Sequence, residues 1–362
     1  MANKKVDLGC NQLRGTFQIS GKVNGRLSQN FYTEGVSQSG KAWRKVHFGV
    51  EIEPNKSVYL DLFGAVQDQC YISKRITVGG KVQSETTPIS WADRFKFEKD
   101  PKYKGFSMIG ITCGCEKIID SKGIEKNKVM HLIAFDACDE VQNLHDGDSV
   151  FVKGNIVYST YNNQHRVNFE PTQISLCREI DFDDIEFKPN ALFTQPMVLM
   201  GVKGNNETNE YDVQAKIVNY QSIEDAEFHI SKEYAALAKT LARKGEYVHI
   251  KAFGSIVVSG EVVKETEIGE WGIQSNRMDR VASPFTRKLM IEGVDPSSVD
   301  NESYSKEVIE KAEEIVAGIR KAKEDYGTNS LDDNGDDDDW GKGSKGKLDE
   351  DKLDDFDMDL GL

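Results

Sequence analysis

The chain of 362 residues carries 46 Lys and Arg against 60 Asp and Glu, a formal net charge of −14, with 38% apolar and 9% aromatic residues. That length suits two compact domains plus a tail, and no run of about eighteen apolar residues offers a membrane-spanning helix. The opening MANKKVDLGCNQL lacks the apolar stretch of a secretory signal. Six scattered cysteines read as reduced thiols, which predicts a cytoplasmic protein.

From Arg14 to about Cys177 the pattern is strand-rich. A first strand over Gly15–Val23 places Phe17, Ile19 and Val23 on one face, with Gly21 where a bend fits. The polar stretch 25–42 is as long as a binding loop. A second strand over Trp43–Ile52 turns Val46, Phe48, Val50 and Ile52 inward and Trp43, Lys45 and His47 outward. A third, Ser57–Phe63, turns Val58, Leu60 and Leu62 inward, leaving Tyr59 and Phe63 outside on either side of Asp61.

An insertion at about 67–130 interrupts this series. Between Lys74 and Lys104 it holds eight basic residues (Lys74, Arg75, Lys81, Arg94, Lys96, Lys99, Lys102, Lys104) against four acids (Glu85, Asp93, Glu98, Asp100), about +4 within an acidic chain. Tyr71, Trp91, Phe95, Phe97 and Tyr103 are interleaved with them. Around WADRFKFEKDPKYKGF a strand is expected to carry Arg94 and Lys96 on one face and Phe95 and Phe97 on the other. The chain returns through a short helix at Asp139–Leu144, an Asp146-Gly147 turn, a strand VFVKGNIVY, a turn NNQ and a last strand RVNFEPTQISL. Three strands, a short helix and two strands are the profile of a five-stranded Greek-key barrel, the OB-fold.

After a linker at Arg178–Asn190 the same order returns more weakly and without detectable identity. Strands are expected at Met197–Lys203, Tyr211–Asn219 and Ala226–Ile230. A helix follows from Ser231 to Gly245, then strands at Tyr247–Val258 and Lys288–Gly293. Val308, Ile309, Ala312, Ile315, Val316 and Ile319 repeat at helical spacing over Ser303–Tyr326 and fit a helix packed on this barrel. The predicted fold is therefore mainly β: an OB-fold barrel with a large insertion (1–180), a second OB-like barrel (190–300), an amphipathic helix (303–327) and an acidic tail (328–362). Residues 331–362 hold thirteen acids and four Lys, about −9, too polar to offset ordering entropy, so the tail is expected to be disordered. At its tip Asp355, Phe356, Asp357, Met358, Asp359, Leu360 and Leu362 alternate acid with large apolar side chains, the character of a peptide seized by a partner. The plainer reading is a solubilising tail.

No phosphate loop, dinucleotide fingerprint, HExxH or GxSxG occurs, so no enzyme and no cofactor is expected. Cys113, Cys115, Cys138 and His131 have zinc-ligand chemistry without the usual spacing; they read as small buried strand residues, and no metal is expected. A barrel that binds single strands needs stacking rings and a basic groove. Trp43, Tyr59 and Phe63 supply rings on the barrel, with Trp91 and Phe97 from the insertion and Tyr158 near the last hairpin. Arg44, Lys45, Lys74, Arg75, Arg94 and Lys96 supply cations.

A ringed OB barrel, a basic insertion and the acidic tail ending DDFDMDLGL together resemble single-stranded DNA-binding proteins of replication, of the tailed-bacteriophage type. The resemblance implies a protein that coats and protects single-stranded DNA in replication, recombination and repair without strict sequence preference, and recruits protein partners through the tail. Two alternatives stay open: an RNA-binding or RNA-chaperone barrel, and a structural β-barrel protein with a solubilising tail.

Overall fold

A computed structural model describes residues 7–161, 164–259 and 286–328. The turn expected at NNQ falls mostly, and the acidic tail with its apolar tip wholly, outside the described residues.

Apolar–polar alternation builds the first barrel. β1 (Gly15–Asn24) turns Phe17, Ile19 and Val23 inward. The segment expected as a loop is anchored instead: β2 (Tyr32–Val36) adds to the sheet edge, and Phe31 is buried 6.4 Å from the Phe48 ring. β3 (Ala42–Glu53) and β4 (Lys56–Ala65) pair as a hairpin with Val46, Phe48, Val58, Leu60 and Leu62 in the core. The insertion then leaves as an arm, in which β5 (Gln69–Val78), β6 (Lys81–Ser90) and β7 (Ser107–Met108) form their own three-stranded sheet.

The chain rejoins the barrel through β8 (Ile111–Gly114), a small hairpin of β9 (Lys117–Ile119) and β10 (Glu125–Asn127), and β11 (Met130–Leu132). The helix α1 (Ala134–Val141) lies earlier than the expected Asp139–Leu144. Phe135, Cys138 and Val141 recur every three residues and are buried, a helical spacing hidden in an apolar run that reads as strand. β12 (Ser149–Tyr161) and β13 (Gln164–Leu176) complete the barrel, and β8 runs parallel to β13.

The second barrel is the more regular one. β14 (Asn190–Asn205), β15 (Glu210–Val218), β16 (Ile223–Ser231), the helix α2 (Ala235–Lys244), β17 (Val248–Ser259) and β18 (Thr286–Asp300) follow in the expected order. Its perimeter closes through β14–β15, β15–β16, β16–β18, β18–β17 and β17–β14. Both barrels thus have OB-type connectivity, with a helix between third and fourth strands. α3 (Lys306–Thr328) lays Ile309, Ala312 and Val316 into the second barrel's side of the core, and Glu313 meets Lys216 at 2.8 Å.

The two barrels share one hydrogen-bonded network of thirteen strands, because β1 pairs antiparallel with β14. Phe17 stands opposite Phe193, so the first strand of each barrel meets its counterpart about a local two-fold. Phe17 also faces Gly154 on β12, and Phe193 faces Gly254 on β17. The register shifts at both glycines, a bulge beside Lys153 in one barrel and Phe253 in the other. A Cβ on either glycine would collide with a cross-strand carbonyl, Glu170 O or Met290 O, so the close approach demands glycine. This alignment corrects the expectation that the copies share no identity: Gly154–Val157 reads GNIV and Gly254–Val257 reads GSIV. Phe17→Ala removes a buried ring from the junction of both barrels and is expected to cost about 3–5 kcal/mol, measurable by chemical denaturation.

Candidate nucleic-acid interface

β3 and β4 alternate, so the residues opposite the core emerge on one outer face. In register they pair as Lys45 with Phe63, His47 with Asp61 and Gly49 with Tyr59. Tyr59 and Phe63 are half exposed, and each is backed by a second ring. His47 lies parallel to Tyr59 at 5.4 Å and 4°, and Trp43 stacks on Phe63 at 6.1 Å and 29°. The Trp43 ring in turn covers Gly35 of β2, where a Cβ would meet ring carbons at 2.8 and 3.0 Å. Asp61 sits between the stacks and accepts from Lys45 Nζ at 2.9 Å and His47 Nδ1 at 3.0 Å. Burial alone would raise the Asp61 carboxyl, but these two donors and their charges outweigh it and hold the pKa below the usual carboxylate value.

The structure divides the remaining predicted residues. Arg44 points away from the ring row: its guanidinium lies 3.9 Å from the Phe135 ring centroid and 2.7 Å from Asp139, pinning α1 to β3. In the arm, Lys74 lies near the Phe106 ring, Arg75 and Lys96 are exposed, and Trp91 is half-buried against Phe135 at 5.6 Å.

Three expectations are corrected. Arg94 is not a surface cation, because its Nε and Nη2 grip Asp136 at 2.7 and 3.2 Å, Nη1 donates to Trp91 O, and both side chains are nearly buried. Phe97 is no stacking platform: the expected strand is instead a chain of 3-10 turns over Trp91–Asp93, Phe97–Lys99 and Pro101–Tyr103. These drop Phe97 into a small core with Cys70, Ile72, Ile89 and Met108 and leave Phe95 outside. Tyr158 is also buried, since β12 sends Val150, Val152, Ile156 and Tyr158 inward. Its ring meets Phe228 of the second barrel at 6.3 Å, and burial raises its phenol pKa. That alternation was readable in VFVKGNIVY.

Cys113, Cys115 and Cys138 are buried. The hydrogen bond with Cys115 and burial raise the Cys113 thiol, and burial pushes Cys138 up to about 12, so these two stay neutral and pack as small apolar groups. His131 bonds Thr112 Oγ1 at 3.2 Å instead. Among the described residues, the His, Cys, Asp and Glu side chains close enough to share an ion are Asp212, Glu227 and His229 of the second barrel. His229 Nδ1 already pairs with Asp212 Oδ1 at 3.0 Å.

That cluster lies on the outer face of β15 and β16, the counterpart of the ring row, and there the chemistry differs. Asp212 faces His229 across the strands as His47 faces Asp61. The neighbours, however, are Glu210, Glu227 and Asp225, with Lys216 and Lys288 tied to Asp225 and Glu210 at 2.8 Å. Sequence reasoning also missed Arg287 of β18, whose guanidinium lies 4.4 Å from the Phe169 ring centroid and donates from Nη2 to Val167 O, both on β13 of the first barrel. The 28 residues of uneven pattern between Val258 and Arg287 gave no strand register from which to place it.

Residues 15–329 match the family described as YorF. No curated protein sequence matches the chain. Two crystal structures of the single-stranded DNA binding protein from Thermus aquaticus are similar to it at 10% identity and a TM-score of 0.35. A deletion mutant is matched over 78% of this chain and 94% of its own, and the wild type over 79% and 93%.

Breaking the buried Arg94–Asp136 pair by Arg94→Ala is expected to cost about 3–5 kcal/mol of stability, whereas Lys96→Ala should change it by less than about 0.5 kcal/mol, both by denaturant unfolding. For Asp61 the lowered folded pKa means a stabilisation fully present above the unfolded value of about 3.9 and lost as pH falls through the folded one. The stability difference between wild type and Asp61→Asn should therefore be largest near neutrality and shrink below about pH 4.

Proposed function

The chain belongs to the YorF family, and we propose that it is a non-enzymatic single-stranded DNA-binding protein that coats and protects exposed strands without strict sequence preference. One observation carries this reading: Tyr59 and Phe63 stand 50% and 51% exposed on the outer face of the first barrel, each backed by a second ring. Large apolar rings held on a wet face without a ligand are unfavourable. Rings already fixed by His47 and Trp43 have little freedom left to lose, so stacking on bases costs little ordering. Each stacked base contributes about 1–3 kcal/mol, and every base offers a π-face, so the selectivity is for single strands rather than for sequence.

Lys45 offsets the charge of Asp61 within the row, and exposed Lys81, Lys96, Lys99 and Lys104 of the arm meet phosphates. We assign 1–180 as the binding domain and 190–300 as a second domain. The places in replication, recombination and repair, the kinship with tailed-bacteriophage proteins and the host cytoplasm as location follow from the sequence resemblance alone. In this reading the tail, about −9, competes weakly with DNA for the cationic arm. Once displaced, it offers Phe356, Met358, Leu360 and Leu362 to partner proteins.

Titration with oligo(dT) at low salt should quench tryptophan fluorescence, with the quenching much reduced in Trp43→Phe; no quenching in the wild type defeats the proposal. Tyr59→Ala and Phe63→Ala should each weaken binding about 5- to 150-fold, the equivalent of about 1–3 kcal/mol. Preferential competition by oligo(U) would turn the assignment to RNA. Removing 331–362 should tighten oligo(dT) binding at low salt and abolish capture of replication proteins; unchanged affinity and capture would remove the tail from the mechanism.

A further inference from the structure

The second barrel has the fold of a binding module but not its surface. On β15 and β16 its outer face sets Glu210, Asp212, Asp225 and Glu227 against Lys216, Lys288 and His229, an arrangement that repels phosphate and, among the described residues, offers a base no ring besides the His229 imidazole held by Asp212.

Its fifth-strand hairpin is placed differently. The first barrel has a seam: β4 and β13 pack side by side, but among the described residues no ladder joins them, whereas the corresponding β16 and β18 are hydrogen-bonded. β17 of the second barrel lies against β4. From the neighbouring β18, Arg287 reaches β13, stacking on Phe169 and donating to the carbonyl of Val167. Asp61, at the centre of the ring row, is near enough for its charge to act on this guanidinium, which is partly desolvated yet still reaches solvent. The exchange is reciprocal. The β12–β13 hairpin of the first barrel rests on the second, with Thr160 Oγ1 donating to Glu224 at 2.6 Å and Asn219 donating to Tyr158 O at 3.1 Å. Pairing of β1 with β14 about the local two-fold places the hairpins so that each barrel touches the other's face.

We infer that the second barrel binds no strand on its own face but completes the site of the first, with Arg287 as the phosphate contact where a strand passes from the Tyr59–Phe63 row across the seam between β4 and β13. Arg is suited to this position, because a guanidinium anchored by a ring and one carbonyl keeps other N–H groups to offer a phosphate. The inference rests on the single-strand reading above and adds that one strand engages both barrels through one face.

The test uses the full chain and oligo(dT), following affinity against salt. Each phosphate contact on a single strand adds about 0.7 to the slope of log K against log salt. Arg287→Gln should lower the slope by about that amount. Lys239→Gln, the same charge change on the exposed side of α2, should leave it unaltered. A wild type that binds while Arg287→Gln keeps its full slope overturns the inference and leaves the function standing; a wild type that does not bind overturns the function itself. If Arg287→Gln fails to fold, photocrosslinking of the wild type to photoreactive oligo(dT) decides. Adducts on both the β4 peptide and the β18 peptide bearing Arg287 support a shared site, and adducts on β4 without β18, or on β15 and β16, refute it.

Discussion

Everything in this molecule hangs on the antiparallel ladder between β1 and β14. Each strand is the first of its barrel, and each is already paired with its barrel's fourth strand, so the ladder joins the two barrels into one sheet. Phe17 and Phe193 face each other across it. Beside them Gln195 is fully buried, its Nε2 donating to Leu13 O and Pro196 O. These bonds meet the amide's donors, while Oε1 has no hydrogen-bond partner among the described residues; the fit of Nε2 to two carbonyls favours this register of the junction over a slip by a residue.

The ladder also explains how two similar barrels come to present different faces. Two-fold pairing exposes their β3–β4 and β15–β16 faces in equivalent positions, and each keeps a His–Asp pair across the strands at 3.0 Å. Around that shared pair one face has gathered rings and the other carboxylates. Phosphate discriminates strongly between such surfaces, since in a partly desolvated groove the sign of the nearest charges dominates. The same geometry carries each barrel's last hairpin onto its neighbour, so the acidic barrel is not idle but forms part of its partner's surroundings.

The arm shows a second division of labour. Four of its aromatic residues pack together: Phe97, with Trp91, Tyr103 and Phe106 around it, builds the small core that lets a three-stranded sheet stand away from the barrel, while Phe95 stays outside. Arg94 belongs to that core through Asp136 of α1, and Arg44 does the equivalent for β3 through Asp139. Cations near rings within one stretch of sequence therefore had two uses, and burial separates them: those with a carboxylate within reach became struts, and the remaining lysines of the turns stayed in solvent.

Alternation in Trp43–Ile52 and Ser57–Phe63 was enough to place Tyr59 and Phe63 outside and Val58, Leu60 and Leu62 inside, because a strand allows two side-chain directions and the core takes one. The same rule read in VFVKGNIVY would have removed Tyr158 from the surface. Element order gave both barrels, and helical apolar spacing gave the helix expected over Ser303–Tyr326 and found at Lys306–Thr328, since each has a local period. What tertiary structure decided is whatever depends on a partner distant in the chain. Asp136 captures Arg94, 3-10 turns send Phe97 into the arm's core and leave Phe95 outside, and Arg287 crosses from one barrel to the other. A local pattern says which way a side chain points but not what it meets there, and for charged and aromatic residues the thing met determines the role.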